Sequence, residues 1–170
     1  SAASDVYKRQ VLNAFDCIFI SNEAKNVGGV HTDPQATCNI SRCTFEANKC
    51  LHASGSGGGG VFSGGTWYIT DSIFNNNSVP MANGFGGVAN GGTWYVSGCA
   101  FSNNSANNSS GGVANGGTWT VTNCAFSNNS AKGSGGVANG GTWNIKDSAF
   151  RNNYAVTAGV FLGGTVTMTN

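Results

Sequence analysis

Charge is scarce in this chain. Only 9% of its 170 residues are Asp, Glu, Lys or Arg, against about a quarter in an average protein. Its eight basic and seven acidic residues leave a net charge of +1. No basic patch is present to neutralise phosphates, which excludes a nucleic-acid binder of the usual kind. Proline is nearly missing, with two residues, and no helical periodicity of apolar positions can be traced. No run of about 18 apolar residues occurs, so no segment spans a bilayer as a helix. Leu, Ile, Val and Phe together make only 33 residues, close to the ~20% at which strongly charged chains become disordered. With a net charge of +1 that route to disorder is closed. A repetitive chain can instead build its core by burying each repeat against the next.

What the sequence has in abundance is repetition. The phrase GGVANGGTW occurs three times, at Gly86 to Trp94, Gly111 to Trp119 and Gly135 to Trp143. Looser copies are GGVFSGGTW from Gly59 and AGVFLGGTV from Ala158, and an outlying GGV at Gly28 reaches its threonine only at Thr37. The aligned valines, Val30, Val61, Val88, Val113, Val137 and Val160, are separated by 31, 27, 25, 24 and 23 residues. These are solenoid periods. A second phrase, Phe-x-x-Asn, keeps step with the first: Phe19/Asn22, Phe45/Asn48, Phe74/Asn77, Phe101/Asn104, Phe126/Asn129 and Phe150/Asn153.

TWYIT, TWYVS, TWTVT, TWNIK and TVTMT alternate apolar with polar residues, the period-2 signature of a half-buried strand. A slip of one residue would exchange the two faces. The column Cys38, Trp67, Trp94, Trp119, Trp143, Val166 and the column Ile40, Ile69, Val96, Val121, Ile145, Met168 contain nothing polar. Tryptophan therefore faces inward. Glycine pairs such as Gly64-Gly65 and Gly91-Gly92 precede these strands, where a tight bend needs positive φ or close backbone approach. The pattern predicts an all-β, right-handed parallel β-helix of about six coils, each 23 to 31 residues long, with right-handedness the default for parallel connections.

Stacking converts each aligned position into a ladder. Asn22, Asn48, Asn77, Asn104, Asn129 and Asn153 are expected above one another at a turn, their amides bonded to each other and to the bent backbone. Phe74, Phe101, Phe126 and Phe150 are expected to cap the neighbouring core layer. Insertions collect after the asparagine, at Asn48 to Gly59 and Asn77 to Gly86, and loops there are the candidate recognition elements.

A GG-aliphatic phrase alternating with Phe-x-x-Asn is similar to the repeat of the polymorphic outer-membrane proteins, and more broadly resembles the pectin-lyase-like right-handed β-helix proteins. The resemblance covers Val11 to Asn170, with GGV-Ala or GGV-Phe where that family writes GGA-Ile. It implies an extracellular, outer-membrane or cell-surface setting and a stalk or adhesin-like passenger role, with partners among host or neighbouring cell-surface glycans or proteins met through loops. Ser1 to Gln10 share nothing with the repeat and resemble a translated cloning or sequencing linker. The expected organisation is thus a non-native or disordered stretch over 1–10 and one β-helix domain over 11–170, a fragment of a longer array.

Cys17, Cys43, Cys99 and Cys124 share a column with Ser72 and Ser148, two residues before each phenylalanine. At the interstrand spacing, neighbouring members are close enough for a disulfide. Serine in the same column fits packing without pairing, and both readings stand. His31, Cys38, Cys43, Cys50 and His52 lack zinc-site spacing, so no metal or other cofactor is expected. Of the seven acids, Asp71 and Asp147 share a column with Gly98 and Asn123 between them, which places them roughly 14 Å apart. That is too far for paired-carboxylate catalysis, so the chain is not expected to be an enzyme, with a fragment of a polysaccharide lyase or hydrolase as the alternative. Asn-x-Ser sequons at Asn39, Asn76, Asn103, Asn107, Asn108 and Asn128 would be glycan acceptors in a eukaryotic secreted protein, and are also what an Asn- and Ser-rich composition produces. Finally, Thr66, Thr93, Thr118, Thr142 and Thr165 form an outward threonine column, a possible ligand face that raises a third reading, ice binding. In that reading it falls to Thr118, Thr120, Thr122, Thr165, Thr167 and Thr169.

Overall fold

A computed structural model describes residues 10–25, 27–51, 62–80, 87–107, 112–133 and 135–170, with the side chains of Phe62, Ser63, Asn90 and Leu162 left aside. Among these residues every regular element is a strand. The strands form four parallel sheets, one of seven strands and three of six. We call them A, B, C and D in the order the chain meets them. One coil runs through Thr93–Ser97 in A, Ala100–Ser102 in B, Ser105–Ala106 in C and Ala114–Asn115 in D, then re-enters A at Thr118–Thr122. The molecule is a parallel β-solenoid.

Sheet A has the expected register. Trp67 pairs with Trp94, Trp94 with Trp119 and Trp119 with Trp143, while Cys38 and Val166 occupy the flanking positions of the same column. The four tryptophans are 0–1% exposed, and their rings stack at 5.3, 4.7 and 4.6 Å. Inward-facing tryptophan is thus the observed face. Sheet B contributes a second aromatic stack, Phe19, Phe45, Phe74, Phe101, Phe126 and Phe150, with centroids 4.6–5.0 Å apart. Phe101 and Phe126 meet Trp119 and Trp143 edge-on, so the two stacks interlock at right angles in the geometry aromatic quadrupoles favour. The third wall comes from sheet D and the residues before it, where Val88, Val113, Val137, Ala89, Ala114 and Ala138 are fully buried.

A seventh strand of sheet A, Val11–Phe15, pairs with Thr37–Ser41 and sets Leu12 and Ala14 below Cys38 and Ile40. Its sequence, VLNAF, lacks the Thr-Trp phrase, so it lies beyond the reach of the repeat. The sheet bonding starts one residue earlier still, because the carbonyl of Gln10 accepts the Thr37 N–H. Residues 1–9, the remainder of the linker-like stretch, lie outside the described residues, as do Val61 and His52.

Candidate functional site

Most of the conspicuous polar residues of this chain hold its corners together. At the corner between B and C, one residue per coil adopts a left-handed conformation, φ 53–57° at Ser21, Ala47, Asn76, Asn103, Asn128 and Asn152. The ladder asparagine follows it. The Oδ1 of Asn104 accepts both the backbone N–H and the Nδ2–H of Asn77, each at 3.0 Å. Its own Nδ2 donates to Asn129 Oδ1 and to the carbonyl of Phe74, both at 3.0 Å. The same pattern runs from Asn22 through Asn48, Asn77, Asn104 and Asn129 to Asn153. Asn48, Asn77, Asn104 and Asn129 are 0% exposed, and no buried side-chain N or O among the described residues lacks a partner. A fully satisfied amide can be buried without the desolvation cost an orphan would carry.

The corner between A and B carries a second ladder that the sequence reading did not separate from packing. Ser72 Oγ donates to the carbonyl of Thr70 at 2.7 Å and accepts the N–H of Cys43 at 3.1 Å. Cys99 Sγ sits in the same relation to Ser97 and Ser72, Cys124 to Thr122 and Cys99, and Ser148 to Lys146 and Cys124. Cysteine and serine interchange here because both carry one γ-atom that donates and accepts. All six cysteines are free thiols. The pairing with Cys124 and burial push the Cys99 thiol up, and burial pushes the Cys38 thiol up. Cys38 lies in the tryptophan column and Cys50 beside Ala24 in sheet C, so the cysteines do not converge with His31. Among the described residues no group of three His, Cys, Asp or Glu side chains could hold a metal ion.

The acids have a backbone reason. Asp16, Arg42, Asp71, Gly98, Asn123 and Asp147 form one column of left-handed residues, φ 47–64°, a conformation Asp, Asn and Gly enter most readily. Asp16 and Arg42 make a two-point ion pair at 2.6 and 2.7 Å, which holds the Asp16 carboxyl below its usual range. A shallow cleft at this corner is lined by Gly98, Ala100, Asn123, Ala125, Asp147 and Arg151. Asp147 is the one Asp or Glu side chain in its lining.

At the corner between D and A two glycines with positive φ turn the chain, 67° and 82° at Gly91 and Gly92. A Cβ on Gly91 would meet nothing, whereas one on Gly92 would lie 2.8 Å from the carbonyl oxygen of Gly65. Each tryptophan closes its own corner: the indole N–H of Trp94 donates to Gly91 at 2.6 Å, that of Trp119 to Gly116 at 3.2 Å, that of Trp143 to Gly140 at 3.3 Å, and that of Trp67 to Gly64. The fixed GG-x-W spacing is the signal of this bond.

The outward face of sheet A lies apart from the core and the corners, with side-chain bonds along its columns from Asn39 to Asn13 at 2.8 Å and from Thr70 to Ser41 at 2.9 Å. Its first column is the expected Thr66, Thr93, Thr118, Thr142 and Thr165, extended by Thr37; Thr66 and Thr93 are half-buried and the other three of the expected five are exposed. Its middle column reads Asn13, Asn39, Tyr68, Tyr95, Thr120, Asn144 and Thr167, and its third Phe15, Ser41, Thr70, Ser97, Thr122, Lys146 and Thr169. The threonine triplets of Thr118–Thr122 and Thr165–Thr169 are separated by Asn144 and Lys146. Tyr68 and Tyr95 stack on each other at 4.9 Å. The insertion loops fall largely on residues 52–61 and 81–86, and Asn108 on 108–111, all outside the described residues. No family model, curated protein or solved structure matches this chain.

Proposed function

We propose that this chain is a non-catalytic rod of an extracellular or cell-surface protein, serving as stalk or adhesive passenger. The observation that carries the reading is the placement of Asp71 and Asp147. They stand in one left-handed column with Gly98 and Asn123 between them, three interstrand steps or roughly 14 Å apart, and their positions are explained by the turn they occupy. Glycoside hydrolysis needs its carboxylates closer or facing each other across a substrate. The likeness of GGV and Phe-x-x-Asn to the polymorphic outer-membrane repeat supports the surface setting, and the filled core supports a rod whose length follows from the number of coils.

Purified protein incubated with polygalacturonate, alginate and neutral glycans tests the claim. No release of reducing or unsaturated ends is expected. Turnover of a uronate polymer, lost on Asp147→Asn, would replace this reading with that of a lyase or hydrolase. Cell binding compared between the full chain and variants lacking residues 52–61 or 81–86 reports whether the insertion loops carry adhesion.

A further inference from the structure

The stacked tyrosines on sheet A end abruptly. Tyr95 has Tyr68 against one ring face at 4.9 Å and 8°, and on the other side its register partner is Thr120, a short exposed side chain. Tyr95 is 43% exposed. The second face of the Tyr95 ring thus has only short side chains beside it, a bay formed in register by Thr120 with Thr118 and Thr122 on the same strand and Asn144 one coil further. We propose that this bay binds a pyranose ring of a neutral polysaccharide, one sugar face stacked on Tyr95 and its hydroxyls bonded to the threonine and asparagine side chains.

The chemistry selects the occupant. The negative face of an aromatic ring attracts the polarised C–H bonds on a sugar's flat face, and a few placed hydroxyls and amides supply orientation. Lys146 is the one ionisable cation or anion on the outward face of sheet A, so a uronate chain finds no row of cations there and a nucleic acid none either. A protein partner would need an apolar centre, which threonine and asparagine do not offer. The inference rests on the adhesive-rod reading and moves its glycan contact from the loops to the sheet.

Calorimetric titration of the full chain with cellopentaose, chitopentaose and mannopentaose, and with pentagalacturonate as the acidic comparison, tests it. At least one neutral probe is expected to bind, in the weak range of about 0.1–1 mM suited to a shallow site, with little dependence on salt. Tyr95→Ala should weaken that binding about tenfold or more, equal to a loss of ~1.4 kcal/mol, while Tyr95→Phe retains it and Tyr154→Ala, on another sheet, leaves it unchanged. Thr120→Val keeps the shape beside the open ring face but removes its hydroxyl, so it should weaken binding severalfold, whereas a merely aromatic surface would bind as before. Absence of binding by all neutral probes, equal binding of pentagalacturonate, or indifference to Tyr95→Ala and Thr120→Val overturns the inference. Cell adhesion that survives Tyr95→Ala would leave the rod reading intact while removing this site; cleavage of a bound probe would remove the non-catalytic reading while keeping the site.

Discussion

At the corner between sheets B and C the chain is turned by a side chain that reaches into the next coil, whereas at the corner between D and A it is turned by glycine and closed by a tryptophan three residues away. Both corners bury backbone groups that must find partners. The first is non-local: Asn104 bonds to residues 25 to 30 positions distant. The second is local in its side-chain part, with Trp119 returning to Gly116. The non-local corner forbids any residue without an amide, and the local corner forbids a Cβ on its second glycine. One fold thus uses two unlike rules for the same task, and substitutions can separate them.

The largest effect is expected at the asparagine corner. Asn104→Ala leaves the N–H and Nδ2–H of Asn77 without their acceptor. At ~1–3 kcal/mol for each orphaned buried group the loss is about 2–6 kcal/mol, measurable by denaturant unfolding. Trp119→Ala comes next, about 3–5 kcal/mol for the cavity in a stack that is fully buried. Tryptophan emission in the native chain should accordingly be blue-shifted, and emission like that of free tryptophan would contradict the inward register.

Within the glycine corner the two positions of one pair should differ. Gly117→Ala meets both φ of +84° and the carbonyl of Gly92 at 2.8 Å, together about 2–4 kcal/mol. Gly116→Ala has φ of +69° and open space around it, so only the left-handed penalty of about 1–2 kcal/mol applies. Equal losses at the two sites would show that crowding between coils plays no part. The same crowding explains the second glycine of the GGV phrase without any appeal to φ: a Cβ on Gly112 would lie 2.3 Å from the Gly136 carbonyl oxygen.

Smaller effects belong to the thiol and hydroxyl ladder. Cys99→Ser keeps a γ-atom that donates to Ser97 and accepts from Ser72, and should change stability by less than about 1 kcal/mol, while Cys99→Ala orphans the Ser72 N–H and should cost ~1–3 kcal/mol. The Cys38 thiol, raised by burial, sets a sign for alkaline pH. The folded thiol stays protonated where the unfolded one ionises, so stability present below about pH 8.5 is lost as pH rises toward the folded value. Asp16 has the opposite sense. Its lowered pKa means that the Arg42 contact contributes at neutral pH and is lost in acid, below about pH 4, a slight change for so exposed a pair.

What could be read from the sequence depended on whether identical residues recurred. Tryptophan returns in four successive coils and phenylalanine and asparagine in six, so their columns and the inward register were legible in the bare chain. The ladder of Cys17, Cys43, Ser72, Cys99, Cys124 and Ser148 was visible as a column of small residues, yet its bonds were hidden because thiol and hydroxyl look unlike on paper. The strand Val11–Phe15 was hidden because Leu12 and Ala14 replace the aromatic and branched residues of later coils. Likewise the threonine column was legible, but the open face of Tyr95 follows from ring stacking, which no spacing reveals. Asp71 and Asp147 were legible as too far apart for paired catalysis, but the left-handed backbone that gives them a turn to fill was not.

The account stands or falls on ladders that couple one coil to the next, and a double-mutant cycle on Asn77 and Asn104 tests this most directly. Asn77→Ala and Asn104→Ala each remove the bond between the two amides, so their destabilisations should fall short of additivity by about 1 kcal/mol or more. Additive losses, within about 0.5 kcal/mol, would contradict a shared ladder.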